Sequence, residues 1–69
     1  MSDEVEVRGD SIRLGQLLKL VGVVDSGAEA KALLAEQGVR VNGEPEDRRG
    51  RQIRPGDVVE VRGREIRAK

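Results

Sequence analysis

The sequence predicts an α+β domain: two N-terminal helices packed on a small, mostly antiparallel sheet, with a candidate extra edge strand at the N-terminus. Two apolar stripes at helical spacing precede Gly38, and beyond it the apolar period changes to two. Turn signals at Asn42-Gly43 and Pro55-Gly56 then divide the remainder into short strands. The chain has 69 residues, the length of one small domain.

Taken in order, Val5 and Val7 alternate with Glu4, Glu6 and Arg8, which marks the candidate edge strand inside an acidic segment spanning 1–11. Leu14, Leu17, Leu18 and Val21 fall at i, i+3, i+4 and i+7 and predict the first helix. Asp10 or Ser11 is its expected N-cap, and Gly22 stands at its C-terminal end. The second stripe is Ala30, Leu33, Leu34 and Gln37. It opens on Ser26-Gly27-Ala28-Glu29, which matches the S-x-x-E capping box, and Gly38 follows it. The Val23-Val24-Asp25 link is short enough to make the helices neighbours. Val39-Arg40-Val41 alternates into the hairpin signal Asn42-Gly43. Arg51-Gln52-Ile53 is a weak short strand, and Arg54-Pro55-Gly56-Asp57 has Pro and Gly where a type II turn wants them. Val58 to Val61 reads as a strand, Gly63 breaks it, and Glu65 to Arg67 forms a last one.

Composition narrows function. There is no Phe, Trp, Tyr, Cys or His. Zinc sites, iron–sulfur ligation, disulfides and thiol nucleophiles are therefore excluded. Ser2, Ser11 and Ser26 are the only side-chain hydroxyls, and no imidazole exists to activate them. So short a chain buries only about 60% of its unfolded surface, which leaves little room for a desolvated pocket. Neither an enzyme nor a cofactor is expected. The core must be aliphatic, built from 19 Val, Leu and Ile residues with five Ala. No run of Val, Leu or Ile exceeds two residues, so no transmembrane span and no targeting segment is expected, and the cytoplasm is the expected compartment.

The formal net charge is zero, but it is unevenly spread. Residues 1–10 sum to −3, residues 11–47 to −2 and residues 48–69 to +5. Local field rather than net charge attracts a polyanion, so a basic C-terminal third retains significance. Ten of the 13 bases are Arg, whose planar fork suits bidentate phosphate contact, although genomic base composition also raises Arg.

Three features can carry function. On the second helix Lys31 shares a flank with Gly27, Ala28 and Ala35, while Glu29, Ala32 and Glu36 lie on the other. A polyanion can approach such a flank closely, and the N-terminus at Ser26-Gly27 adds free N–H donors. A solvated lysine on an ordinary amphipathic helix is the competing reading. The second feature is Arg48-Arg49-Gly50-Arg51 with Arg54 close by, four bases within seven residues. Glu44, Glu46 and Asp47 precede it and offer a self-compensated charge run as the alternative. Third, Arg40 points opposite to Val39 and Val41 and is expected to join Lys31 and the arginine loop. Without aromatics, base stacking of the kind used by RRM and OB-fold sheets is unavailable. Any nucleic-acid binding must then use phosphates, sugar hydroxyls and shape, which favours structured RNA. With one lysine and two glutamates the second helix is a poor DNA recognition helix.

The ordered segments Arg13-Leu14-x-x-Leu17-Leu18-Lys19, Asp25-Ser26-Gly27-x-x-Ala30-Lys31-x-x-Leu34, Val39-x-Val41-Asn42-Gly43-Glu44 and Arg54-Pro55-Gly56-Asp57-x-Val59 resemble the S4-like RNA-binding domain, the alpha-L motif. The short stand-alone bacterial members are the most similar. The resemblance covers residues 12–62 and makes 12–69 the RNA-binding domain, with 1–11 as an acidic N-terminal segment. It implies a basic face formed by the two helices and the following hairpin, gripping structured RNA, often ribosomal or transfer RNA. Carried over, it marks Lys19, Lys31, Arg48, Arg49 and Arg51 as contacts, with Ser26 and Gly27 at the helix start; Arg40 and Arg54 complete the candidate site. Gly27 stands where many members have Arg, and Gly15 where Asp is commoner. The expected partners are structured RNA and the ribosome, with no membrane, and the protein is expected to be a monomer. The alternative function is a protein-interaction adaptor that uses the acidic segment or an exposed strand edge.

Overall fold

The computed structural model describes residues 2–69, with side chains from residue 3 onward; Met1 of the acidic segment lies outside it. In chain order the elements are β1 (Ser2–Val5), β2 (Ile12–Arg13), α1 (Leu14–Leu20), α2 (Gly27–Ala35), β3 (Val39–Val41), β4 (Glu44–Pro45), β5 (Gln52–Ile53), β6 (Val58–Val61) and β7 (Arg64–Ala68). Five strands form one sheet in the order β1-β7-β6-β3-β4, and β2 with β5 forms a separate two-stranded ladder. Both helices cover one face of the larger sheet. Leu14, Leu17, Leu18, Ala30, Leu33 and Leu34 are buried against Val39, Val41, Val59, Val61 and Ile66. Val5, Val7 and Ala68 belong to the same core. Among the described residues no helix is long and apolar enough to cross a membrane.

Two strands, β1 and β2, precede the helices, where one candidate edge strand around Val5 and Val7 is expected. Two further details differ from expectation. The sheet is mixed: β3, β6, β7 and β4 pair antiparallel, but β1 runs parallel to β7, with Val5 opposite Ala68. The N-cap of α1 is Arg13, not Asp10 or Ser11, and no side chain caps it. The reason for the last is β2, which two residues of sequence could not announce. Ile12 and Arg13 are held extended against Ile53 and Gln52, so the helix starts only after them. The first N–H groups of α1 then take partners from the chain beyond β4. Leu14 N–H donates to the Arg51 carbonyl at 2.8 Å and Gly15 N–H to the Arg49 carbonyl at 3.0 Å.

Each helix ends in a left-handed residue. After α1 it is Gly22 (φ 79°), with Val23 N–H donating back to Leu18. After α2 it is Gln37 (φ 58°), one residue before the expected Gly38. Gly38 is needed for closeness instead, since a Cβ there would stand 2.7 Å from Leu33 Cδ1. Asn42 (φ 53°) and Gly43 (φ 84°) make the two-residue turn of the β3–β4 hairpin. The Asn42 side chain also donates to Asp57 and accepts from Val58 N–H, tying this turn to the type II turn at Pro55-Gly56.

Candidate nucleic-acid interface

The segment between β4 and β5 holds three arginines in four residues, and like charges at that density need an arrangement that keeps them apart. Glu46 supplies it. Only 6% exposed, it is the buried charged residue among those described. Its own N–H donates to the Val39 carbonyl, fixing it beside β3. Its carboxylate accepts from the backbone N–H groups of Asp47 and Arg48, from Arg48 Nε at 3.2 Å and from an Arg51 terminal nitrogen at 2.8 Å. These donors, Arg48 and Arg51 foremost, lower its pKa from 4.5 to about 2. The alternative of a self-compensated charge run thus describes Arg48 and Arg51. It does not describe Arg49.

Arg49 has no acidic partner among the described residues. Its carbonyl is held by Gly15, and its side chain passes over α1 to reach the first turn of α2. A Cβ placed on Gly15 would lie 3.6 Å from Arg49 Cβ, and one on Gly27 would lie 3.4 Å from a guanidinium nitrogen. Arg49 therefore shares a shallow hollow with Arg13, Gln16, Lys19 and Gly27. At the head of α2, Ser26 accepts from Glu29 N–H as the capping box requires, and Glu29 reaches back to Asp25 N–H instead of Ser26. Lys31 lies one helical turn beyond Gly27 on the flank that meets Arg49.

The remaining predicted residues divide. Gly50 also borders a second hollow, on the other side of the loop, lined by Arg48, Arg51, Arg54 and Asp57. There Asp57 accepts from Arg54 N–H and from Asn42, which hold its carboxyl below the usual range. Arg40 does not join the loop or Lys31. It stands on the sheet face away from the helices, beside Glu60, in a depression lined by β6 and β7. The strand alternation that pointed it away from the core also pointed it away from the helices. Nor is the basic C-terminal third one patch. Arg62 donates to the Val23 carbonyl, Arg64 to Asp3 and the Val21 carbonyl, Arg67 to Glu65, and Lys69 pairs with Glu4. Of its eight bases only Arg49 and Arg54 lack an acid or carbonyl partner among the described residues. Arg13, the N-cap of α1, also lines the hollow with Arg49 and is not among the residues marked from the sequence; its signal was the spacing of three in Arg13, Gln16 and Lys19.

The four ordered segments fall on α1, on α2 with its cap, on the β3–β4 hairpin and on the turn that leads into β6. A family model described as the S4 domain matches residues 5–69. The chain belongs to the S4-domain family. Among related proteins, a probable ribosome maturation protein RlbA from Bacillus subtilis (strain 168) is 48% identical over 63 residues, covering 91% of this chain and 89% of the relative. A small ribosomal subunit protein uS4 from Coxiella burnetii (strain CbuG_Q212) is 36% identical over 52 residues, which is 75% of this chain and 25% of that protein. The S4 fold here is also similar to the solution structure of YbcJ from E. coli, with a TM-score of 0.67 and 33% identity over 97% of this chain and 84% of that one. YbcJ is described as revealing an alpha-L motif involved in RNA binding.

Proposed function

We propose that this S4-domain protein binds structured RNA without catalysis, in the cytoplasm, through the face where α1, α2 and the arginine loop meet. The single observation that carries the reading is Arg49: its backbone carbonyl accepts from Gly15 N–H, and its guanidinium, without an acid partner among the described residues, is set among Lys19, Arg13 and the first turn of α2. An unpaired base in that position is stabilised by an anion, and phosphate is the anion of RNA. Lys31 extends the face by one turn, and Ser26 and Gly27 offer backbone N–H groups at its centre. Arg48 and Arg51 brace the loop, Arg54 lies at its margin, and Arg40 stands outside it. The names of the relatives, a ribosome maturation protein and a ribosomal protein, favour ribosomal RNA as the target.

The test is fluorescence anisotropy with a structured ribosomal RNA fragment across a salt series. Specific, salt-dependent binding that weakens about tenfold in Arg49→Ala supports the reading. Binding unaffected by Lys19→Ala and Arg49→Ala together, or nuclease-resistant association with a protein instead, contradicts it.

A further inference from the structure

The core-facing stripe of α1 consists of Leu14, Leu17 and Leu18, and it leaves Leu20 outside. Among the described residues Leu20 is the exposed large hydrophobic side chain, at 64%. A single exposed leucine is ordinary on a protein surface. Leu20 is not single. It shares a shallow depression with Ile12, Gln16 and Lys19, which continues to Val21. Ile12 and Val21 pack against the core but are themselves only partly buried. Together these side chains leave an apolar strip open to solvent along α1.

The strip adjoins the basic hollow, for Gln16 and Lys19 line both. Positions three and four apart on a helix are neighbours, so Gln16 stands beside Lys19 on one side and Leu20 on the other. The far rim of the strip is close to neutral. Asp3 pairs with Arg64 and Glu4 with Lys69, while Glu6 and Arg8 border it together. That rim has no surplus of cations to hold a second phosphate, and little free acid to recruit a basic peptide. An uncharged, flat group attached to a phosphate in the basic hollow fits both sides of the boundary.

We infer that Leu20, with Ile12 and Gln16, receives the nucleobase of an unpaired RNA nucleotide whose phosphate is held in the basic hollow. The inference rests on the RNA-binding reading and names the feature of the RNA that this face selects. It adds an apolar contact to the phosphate, sugar and shape recognition expected from composition. The chain has no aromatic ring to stack a nucleobase, but aliphatic side chains also pack against nucleobase faces. Within a helix those faces are covered by their neighbours, whereas an unpaired nucleotide presents one. The Gln16 amide, at the boundary, can donate to and accept from a nucleobase edge.

The test is anisotropy across a salt series with two ribosomal RNA hairpins, one carrying a single bulged adenosine and the other lacking it. Leu20→Ala is a surface change and should keep the melting temperature within about 4 °C. It is expected to bind the bulged hairpin about fivefold more weakly. The salt slope should not change, because no phosphate contact is lost. Removing the bulge should weaken the unaltered protein by a similar factor and leave Leu20→Ala nearly unaffected. Leu20→Phe should bind the bulged hairpin at least as tightly as the unaltered protein, since a ring stacks on a nucleobase. Equal affinity of Leu20→Ala and the unaltered protein, or a loss that is the same for both hairpins, would overturn the inference while leaving RNA binding standing. So would a nuclease-resistant protein partner lost in Leu20→Ala with RNA affinity unchanged, which would make the strip a protein contact. Absence of salt-dependent RNA binding by the unaltered protein would overturn both.

Discussion

Arg48 and Arg49 are adjacent in sequence and identical in chemistry, yet they stand on opposite sides of one loop in opposite electrostatic circumstances. Arg48 turns back with Arg51 onto the buried Glu46, whereas Arg49 crosses to the helices and finds glycine backbone. A carboxylate on one side offsets the repulsion among the clustered arginines by pairing two of them, and the third has no acid partner among the described residues. The difference teaches that a basic run is not a uniform surface. Some of its charges build the loop, and the one left over is available to a ligand.

The comparison breaks most severely at Glu46. Glu46→Ala removes a buried acceptor of several hydrogen bonds, three of them from arginine side chains, and is expected to cost about 2–3 kcal/mol in urea unfolding. RNA affinity should fall with it, since Arg49 loses its support. Next come the arginines themselves. Arg49→Ala is expected to change stability by less than about 0.5 kcal/mol while lowering affinity about tenfold. Arg51→Ala is expected to reverse that balance, with a stability loss of about 1–2 kcal/mol and a smaller loss of affinity.

A pH titration sharpens the same contrast. The Glu46 carboxyl is held near 2 in the folded protein against 4.5 ordinarily, so the unfolded chain binds more protons between those values. The stability it contributes is present in full above about 4.5 and declines as pH falls through 2. Asp57, lowered by the Arg54 N–H and by Asn42, acts in the same direction. Glu46→Gln should therefore show a flatter acid limb in thermal melts below pH 4.5 than the unaltered protein. The smallest effect is expected at Arg40, which stands beside Glu60 on the far sheet face. Arg40→Ala should leave affinity within about twofold in the same anisotropy assay.

Much of this architecture was legible in the sequence, for reasons that differ by element. The two helices were readable because their apolar stripes repeat over several turns, and the Ser26 cap because its partner Glu29 is local. The Asn42-Gly43 and Pro55-Gly56 turns were readable because their backbone angles demand those residues. What could not be read depended on distant chain. The strand Ile12–Arg13 exists only because Gln52–Ile53 lies beside it, and that pairing displaced the N-cap of α1. The parallel pairing of β1 with β7 joins the two ends of the chain, which no local pattern records. Within the candidate site, the arginine cluster was visible, but its division was not. Separating Arg49 from Arg48 and Arg51 required knowing that Glu46 is buried and that the Arg49 side chain lies against Gly15 and Gly27. Arg40 was misplaced for the same reason: alternation gives a face, not its neighbours.

The most direct test of the account is the salt dependence of binding to a structured ribosomal RNA fragment, measured for the unaltered protein, Arg48→Ala and Arg49→Ala. If Arg13, Lys19, Lys31 and Arg49 each meet a phosphate, log affinity falls against log salt with a slope of roughly −2.8 to −3.6. Arg49→Ala should flatten that slope by roughly 0.7–0.9, and Arg48→Ala should leave it nearly unchanged. Equal flattening by both substitutions, or by neither, would contradict the division of the arginine loop on which the account depends.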